Sequence, residues 1–233
     1  KVKVKEPRAR ITRDRKWLTV TYQIEEGDPY TISHVDIDGD VLTTKDELVK
    51  MTTLKVGKLY SREKVDSDLQ ALSQVYGDQG YHFANINPIT IPDDATKTAR
   101  LTYFVEKGQK ITIGKITISG NDVTRDKVIR RELKLAEGSL FSETRFQESR
   151  RRLYALGFFE EVNFATPRGS EENTIDLNIR VKEKRTGTIS AGAGFSTVEN
   201  FQLMASITKN NFFGYGISGQ FSLELSSRRQ LFQ

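Results

Sequence analysis

The feature that most constrains this chain is that it says the same thing twice. "VTYQIEEGDPYTI" at 20–32 matches "LTYFVEKGQKITI" at 101–113, and the same offset pairs Gly39 with Gly120, Gly57 with Gly138, and "GKLYS" with "GSLFS". A period of roughly eighty residues is longer than most solenoid repeats, so each copy is expected to fold as its own small α+β domain rather than as one rung of a stack. Each copy reads as a strand, two helices and a returning pair of strands. Only the second helix differs in length, being longer in the first copy.

Local signals support that order. Ile111, Ile113, Ile116 and Ile118 fall largely at alternate positions, as a half-buried strand requires, and "SGND" stops them. A short helix is expected after Thr124, with Thr124 as its cap and Val128, Ile129 and Leu133 as its buried stripe. Ser142 is expected to cap the next helix, whose apolar side carries Phe146, Leu153 and Leu156. Val65, Leu69, Leu72 and Tyr76 do the same in the first copy. Both long helices reach glycine, Gly80 and Gly157, followed by the aromatics Tyr81 and Phe158. "GYHF" and "GFFE" therefore read as helix-ending corners. The returning strands are expected at 83–91 and 100–106, then at 160–166 and 174–182.

The two ends depart from the repeat. Residues 1–26 hold only extended patterns around a charged turn, "TRDRK", and read as the back hairpin of a preceding unit. Val2 and Val4 alternate there with Lys1, Lys3 and Lys5, as for a strand with one core face and one wet face. After Lys184, Ile189, Ala191, Ala193 and Phe195 alternate with serine and glycine. Phe201, Leu203, Ala205 and Ile207, and then Tyr215, Ile217, Phe221, Leu223 and Leu225, alternate mainly with polar or small residues. Strands of about ten residues with one apolar and one small or polar face match a transmembrane β-barrel, and three of them are too few to close one. A soluble antiparallel sheet is the plainer alternative.

Composition excludes several classes. With 36% apolar and 29% charged residues, the bulk of the 233-residue chain reads as water-soluble globular protein. No apolar run is long enough for a membrane helix, and the first residues form no signal peptide, so the sequence reads as mature or as cut from something longer. The absence of cysteine rules out disulfides and thiolate zinc sites. A net charge of +5, dispersed among acids, gives no support to nucleic-acid binding. Asp36, Asp38, Asp40 and Glu47 have the spacing of a calcium loop, but Val41 stands where glycine is needed and a strand precedes the site, so a solvated strand is the better reading. His34 and His82 lie in different elements with no nucleophile motif, and no phosphate-binding loop occurs. Neither a catalytic site nor a cofactor is expected.

"GNDVTRDKVIRREL", "EGSLFSETRFQESRRRLYALGFFEEV", "VKEKRTG" and the glycine-rich strand after it resemble the BamA family of outer-membrane protein assembly factors. The resemblance is densest over 120–195 and looser in the first copy. It implies tandem POTRA repeats of β-α-α-β-β order followed by the first antiparallel strands of a transmembrane barrel. The corresponding segments are 1–26 (hairpin of a preceding repeat), 27–107, 108–184 (last repeat) and 187–233 (barrel start). It also implies periplasmic repeats, an outer-membrane barrel in contact with lipid, and accessory assembly lipoproteins as partners. The implied activity is insertion of unfolded β-barrel proteins without ATP, and not enzyme catalysis. A secretion transporter of the same superfamily and a soluble repeat scaffold are the alternatives.

Three sets of residues carry specific expectations. Phe83, Asn85, Asn87, Glu161, Asn163 and Ala165 lie on strands expected at open sheet edges, where unpaired backbone groups accept extended substrate segments whatever their sequence. Glu132 falls inside the apolar arc between Val128 and Ile129 and needs a counter-charge. An arginine or a helix end of its own domain would supply it, or else a basic residue of an accessory lipoprotein, flanked by Arg130 and Arg131. Arg150, Arg151 and Arg152 read as the wet face of their helix. Thr188, Ser190, Gly192 and Gly194 line the first barrel strand, where small residues weaken pairing with the last strand and provide a gate.

Overall fold

The computed structural model describes residues 3–25, 27–196, 200–226 and 230–232. Two units emerge, one of residues 1–73 and 85–107 and one of 74–84 and 108–233. The first opens with short strands β1 (Lys3–Val4), β2 (Arg8–Ile11), β3 (Leu18–Thr21) and β4 (Ile24–Glu25), paired β1 with β4 and β2 with β3. Val2 lies outside the described residues. Val4, expected in a core, is 59% exposed, as are Ile11, Trp17 and Leu18 to similar degrees, because among the described residues no second layer covers this ribbon.

The rest of the first unit is built from β5 (Thr31–Gly39), α1 (Lys45–Met51), α2 (Arg62–Asp78), β6 (Asn85–Asp93) and β7 (Thr98–Glu106). The sheet order is β5-β7-β6, with β7 parallel to β5 and antiparallel to β6. Central β7 alternates buried Ala99, Leu101, Tyr103 and Val105 with half-buried or exposed neighbours, and Val65 and Leu72 of α2 are buried as well. Phe83 lies in the turn before β6, not in the strand. The Ala84 N–H donates to the Tyr81 carbonyl, and that turn delays the strand to Asn85.

The second unit repeats the plan with β8 (Thr112–Ser119), α3 (Asp126–Arg130), α4 (Glu143–Ala155), β9 (Phe159–Ala165) and β10 (Thr174–Glu183), in sheet order β8-β10-β9. Its core gathers Ile113, Val128, Ile129, Phe141, Leu153, Ile175, Leu177 and Ile179. Ser142 caps α4 as expected, accepting from the Arg145 N–H at 3.3 Å. Asp78 adds its carboxylate to the same helix start, accepting from the Ser142 hydroxyl, the Thr144 N–H and the Thr144 hydroxyl. Burial opposes ionisation of Asp78, but the hydrogen bonds from Thr144 and Ser142 outweigh it and hold the carboxyl below its usual range. Thr124 does not cap α3. It is buried, and its hydroxyl accepts from the Asn211 side-chain amide instead. Gly80 and Gly157 take positive φ, +92° and +70°, just past the two long helices.

Beyond β10, the strands β11 (Gly187–Ser196), β12 (Asn200–Lys209), β13 (Gly219–Ser226) and β14 (Gln230–Phe232) form an antiparallel meander in sequence order. The third strand starts later than its alternation suggests. Asn211, Phe213, Gly214 and Gly216 all take positive φ, so Tyr215 and Ile217 belong to a turn that begins with the 3-10 segment Phe212–Gly214.

One buried polar position recurs in both repeats. Asp68 on α2 is fully buried and accepts from the N–H groups of Thr53 and Leu54 and from the Tyr103 hydroxyl. Burial and that bond to Asp68 push the Tyr103 phenol well above its ordinary pKa. Ser149 stands at the same place on α4, also fully buried, accepting from the Lys134 N–H at 2.7 Å and donating to the Arg145 carbonyl. Each ties the long helix to the loop that follows the short one. Truncation leaves buried amides unsatisfied, so Asp68→Ala and Ser149→Ala are each expected to lower the stability of their own repeat by about 1–3 kcal/mol in urea titrations.

Candidate functional site

The sheet edges are the first candidate surface, and the proline pattern shows which backbone groups they expose. The β6–β7 ladder runs without a break from Asn85 opposite Glu106 to Asp93 opposite Thr98, and it includes Pro88 opposite Tyr103 and Pro92 opposite Ala99. A proline has no N–H to give, so within an intact ladder its nitrogen turns away from the partner strand. Residues 86, 88, 90 and 92 therefore direct their backbone groups to the free edge. Pro88 and Pro92 delete two of the four amide donors there, which blunts β6 against strand addition. Asn85 and Asn87 lie on this strand, but their backbone groups face β7.

The second repeat treats the same edge differently. Val162 opposite Val181 and Phe164 opposite Ile179 correspond in register to Ile86 opposite Val105 and Pro88 opposite Tyr103. Val162 and Phe164 thus present backbone groups to the free edge of β9, each with its N–H, while Glu161, Asn163 and Ala165 turn theirs toward β10. One of the edge acceptors is occupied: the Tyr154 hydroxyl, reaching from α4, donates to the Val162 carbonyl at 2.9 Å. Phe146 packs edge-on against Phe164, with ring centroids 5.4 Å apart, between helix and strand. The corresponding groove in the first repeat, between α2 and β6, encloses about 540 Å³ and is lined by Tyr60, Val65, Leu69, Asn87, Pro88 and Thr90.

Glu132 is the second candidate. It follows α3 directly, its side chain is 21% exposed, and the counter-charge is internal. Arg131 Nε and Arg152 Nη1 each lie 3.5 Å from its carboxylate oxygens. Arg152 also approaches Glu148 at 3.8 Å, so the arginine run on α4 is not uniformly solvated. Arg130 points elsewhere, to Asp126 at 2.9 Å and Glu137 at 3.7 Å. The network leaves Glu132 near the surface and its charge balanced.

The meander is the third. Across β11 and β12, Ile189 faces Ile207, Ala191 faces Ala205, Ala193 faces Leu203 and Phe195 faces Phe201. Across β12 and β13, Leu203 faces Leu225, Ala205 faces Leu223 and Ile207 faces Phe221. The other side pairs Thr188 with Thr208, Ser190 with Ser206 and Gly194 with Gln202, then Ser206 with Ser222 and Thr208 with Gln220. The result is one continuous apolar face, open to the surroundings at Ile189, Phe195, Phe201 and Phe221, and one mostly polar face. In the described sheet β11 is an edge strand. A Cβ added at Gly192 would meet nothing within 4 Å, so packing within this sheet does not require glycine there.

Other sequence features resolve as structure. Asp36 accepts from the Ile37 N–H, Asp38 pairs with Lys45 at 3.0 Å, Asp40 accepts from the Lys107 N–H, and Glu47 accepts from the Thr43 hydroxyl. Among the described residues no cluster of acids and histidines could hold a metal ion. His82 packs against Phe141 with ring centroids 4.2 Å apart and planes tilted by 51°, and burial lowers its pKa against a weaker opposing pull from Glu143. Sequence reasoning missed Asp68, Tyr154 and Asn211. The two prolines of "NPITIP" were the one available signal for a blunted edge.

Comparison with known proteins agrees with this geometry. The chain is 33% identical over 207 residues to the outer membrane protein assembly factor BamA of Neisseria meningitidis, covering 88% of this chain and 26% of that protein. It is 29% identical over 227 residues to the BamA of Nitratidesulfovibrio vulgaris, covering 96% and 29% respectively. The chain thus spans under a third of the length of these relatives. Among solved structures, the crystal structure of BamA from Haemophilus ducreyi lacking POTRA domains 1-3 superposes with a TM-score of 0.76 at 29% identity, over 85% of this chain and 38% of that one. BamA POTRA3-5 from Haemophilus influenzae gives 0.71 at 25% identity, over 78% and 73%. The family described as surface antigen variable number repeat matches residues 30–108 and again 111–184, and with its two β-α-α-β-β units the chain belongs to this POTRA family.

Proposed function

We propose that the chain is part of an outer-membrane β-barrel assembly factor. In this reading its POTRA repeats stand in the periplasm and receive unfolded outer-membrane proteins, and the meander is the start of the barrel that inserts them. The observation that carries the reading is the two-faced meander directly after two POTRA repeats. An apolar face left open over three full strands suits lipid, and a polar face suits a barrel interior. Insertion then needs no nucleotide, since the folding of the substrate itself supplies the free energy.

Strand β11 is the gate in this proposal. Thr188, Ser190, Gly192 and Gly194 offer little side-chain packing, so pairing with a final strand rests mostly on backbone hydrogen bonds. Because an unpaired amide in the bilayer costs several kcal/mol, a substrate strand that supplies the same bonds can replace the last strand. Between the repeat edges, β9 is the better acceptor of extended segments, since β6 is blunted by proline. Glu132, with Arg130 and Arg131 beside it, is proposed as the docking point of an accessory lipoprotein, whose basic group would take over from Arg152.

Two experiments test this reading. In the full-length protein, a disulfide from Gly192→Cys to the facing residue of the final strand is expected to stop insertion when oxidised and to restore it on reduction. A locked barrel that inserts at the wild-type rate would rule out the gate. For Glu132, Glu132→Lys sets three cations together and is expected to destabilise the last repeat by roughly 1 kcal/mol, while Arg152→Glu in the same chain recovers that stability without recovering lipoprotein co-purification. Recovery of both would assign Glu132 to the fold alone.

A further inference from the structure

The turn between β12 and β13 is built in a way that a free connection does not need. Asn211 is only 4% exposed and sits in the left-handed region at φ +57°, and Phe213 follows at φ +50°. Both ends of the Asn211 amide are engaged. Its Oδ1 accepts from the Gly216 N–H at 2.8 Å, within the turn, and its Nδ2 donates to the buried Thr124 hydroxyl at 2.7 Å, in the last repeat. The Gly214 carbonyl accepts from the Arg125 N–H at 3.1 Å. At Gly214, φ is +75° and a Cβ would lie 2.0 Å from the Val123 carbonyl oxygen, so only glycine fits. At Gly216, where φ is +71°, a Cβ would lie 2.6 Å from Arg131 Nη2 and 2.9 Å from a Val128 methyl, and the Arg125 guanidinium stacks 3.7 Å from the Tyr215 ring centroid.

The receiving surface is itself fixed. Glu183, at the end of β10, accepts from the Val123 and Thr124 N–H groups at 2.8 and 2.6 Å, and the Asn121 side chain holds the Thr124 carbonyl. The linker 184–186 is short, and its Thr186 bonds to Asn210 through both backbone and side chain. A single covalent link would leave the meander free to swing about the linker. A second point of attachment removes that freedom.

Resting on the membrane reading of the meander, we infer that residues 123–131 and 211–216 form a fixed joint, in which Asn211, Arg125 and Tyr215 are positioning residues. They hold the first strands of the barrel in one orientation on the last repeat. Left-handed backbone at Asn211 and Phe213 is disfavoured for side-chain-bearing residues and persists where the surroundings over-determine it, as the seat on Thr124 and Arg125 does here.

The test is a distance distribution between spin labels at Arg151→Cys on α4 and Gln220→Cys on β13, both exposed, in the full-length protein in lipid nanodiscs. The otherwise unaltered protein is expected to give one narrow maximum. Gly214→Ala and Asn211→Ala are expected to lose it, and Tyr215→Phe, which keeps the ring, to retain it. Should Gly214→Ala fail to fold, Tyr215→Leu with Arg125→Gln removes the stack while leaving the backbone of the turn intact, and is expected to broaden the distribution. A distribution that stays narrow in these variants overturns the joint. This readout is independent of insertion, so failure of the gate experiment would remove the proposed function without deciding the joint.

Discussion

A strand edge leaves backbone N–H and C=O groups unpaired, and each sheet of this protein has to deal with that. Every three-stranded sheet has two such edges, and an open meander has two more. The protein treats its edges in three ways. Proline at 88 and 92 removes donors from β6, the Tyr154 hydroxyl occupies an acceptor on β9, and β11 carries only small side chains on its polar face. In water an open edge is a binding surface. In lipid it is a large penalty that any suitable strand relieves. In the proposed function, the same chemistry would serve both to receive an extended segment at a repeat edge and to release it at the first barrel strand.

For an edge to be usable, the sheet that carries it must not move. Each repeat fixes its long helix to the preceding loop through one buried polar side chain, Asp68 in the first and Ser149 in the second. The carboxylate reaches two amides and a tyrosine, whereas the hydroxyl reaches one amide and bonds back to its own helix. Identical placement with different chemistry shows that the requirement is satisfaction of the loop amide, not a particular residue. Further along the chain, Glu183 plays the corresponding part for the 123–124 segment, and the turn at 211–216 is seated on it.

Much of this was legible from the sequence. The repeat, its paired glycines and the alternation of Ile111 to Ile118 define two α+β units, and the structure has them. The alternation in 188–207 places apolar residues on one face, and on that face the register puts apolar opposite apolar across β11, β12 and β13. What escaped depended on partners distant in the chain. Asp68 lies between the apolar positions of α2 and reads as a surface acid until Thr53, Leu54 and Tyr103 are brought to it. Thr124 has the form of a cap, but its hydroxyl is taken by Asn211, 87 residues later. Tyr215 and Ile217 continue an alternating pattern, yet the left-handed residues on either side of Tyr215 keep the strand from forming before Gly219. The internal counter-charge of Glu132 was open from sequence, and Arg152 now fills that place.

If edge chemistry decides where extended segments bind, as proposed, edge variants must change peptide affinity. Binding of an alternating apolar–polar peptide is to be measured by fluorescence anisotropy on the chain with Tyr154→Phe, which frees the Val162 carbonyl, and on the chain with Pro88→Ala and Pro92→Ala, which restores two donors to β6. At about 0.5–1.5 kcal/mol per regained hydrogen bond, affinity should rise roughly two- to ten-fold for the one bond of Tyr154→Phe and roughly five- to a hundred-fold for the two of the proline pair, and Phe164→Pro, at the position in register with Pro88, should abolish the gain from Tyr154→Phe. Affinity unchanged in both variants would contradict the account.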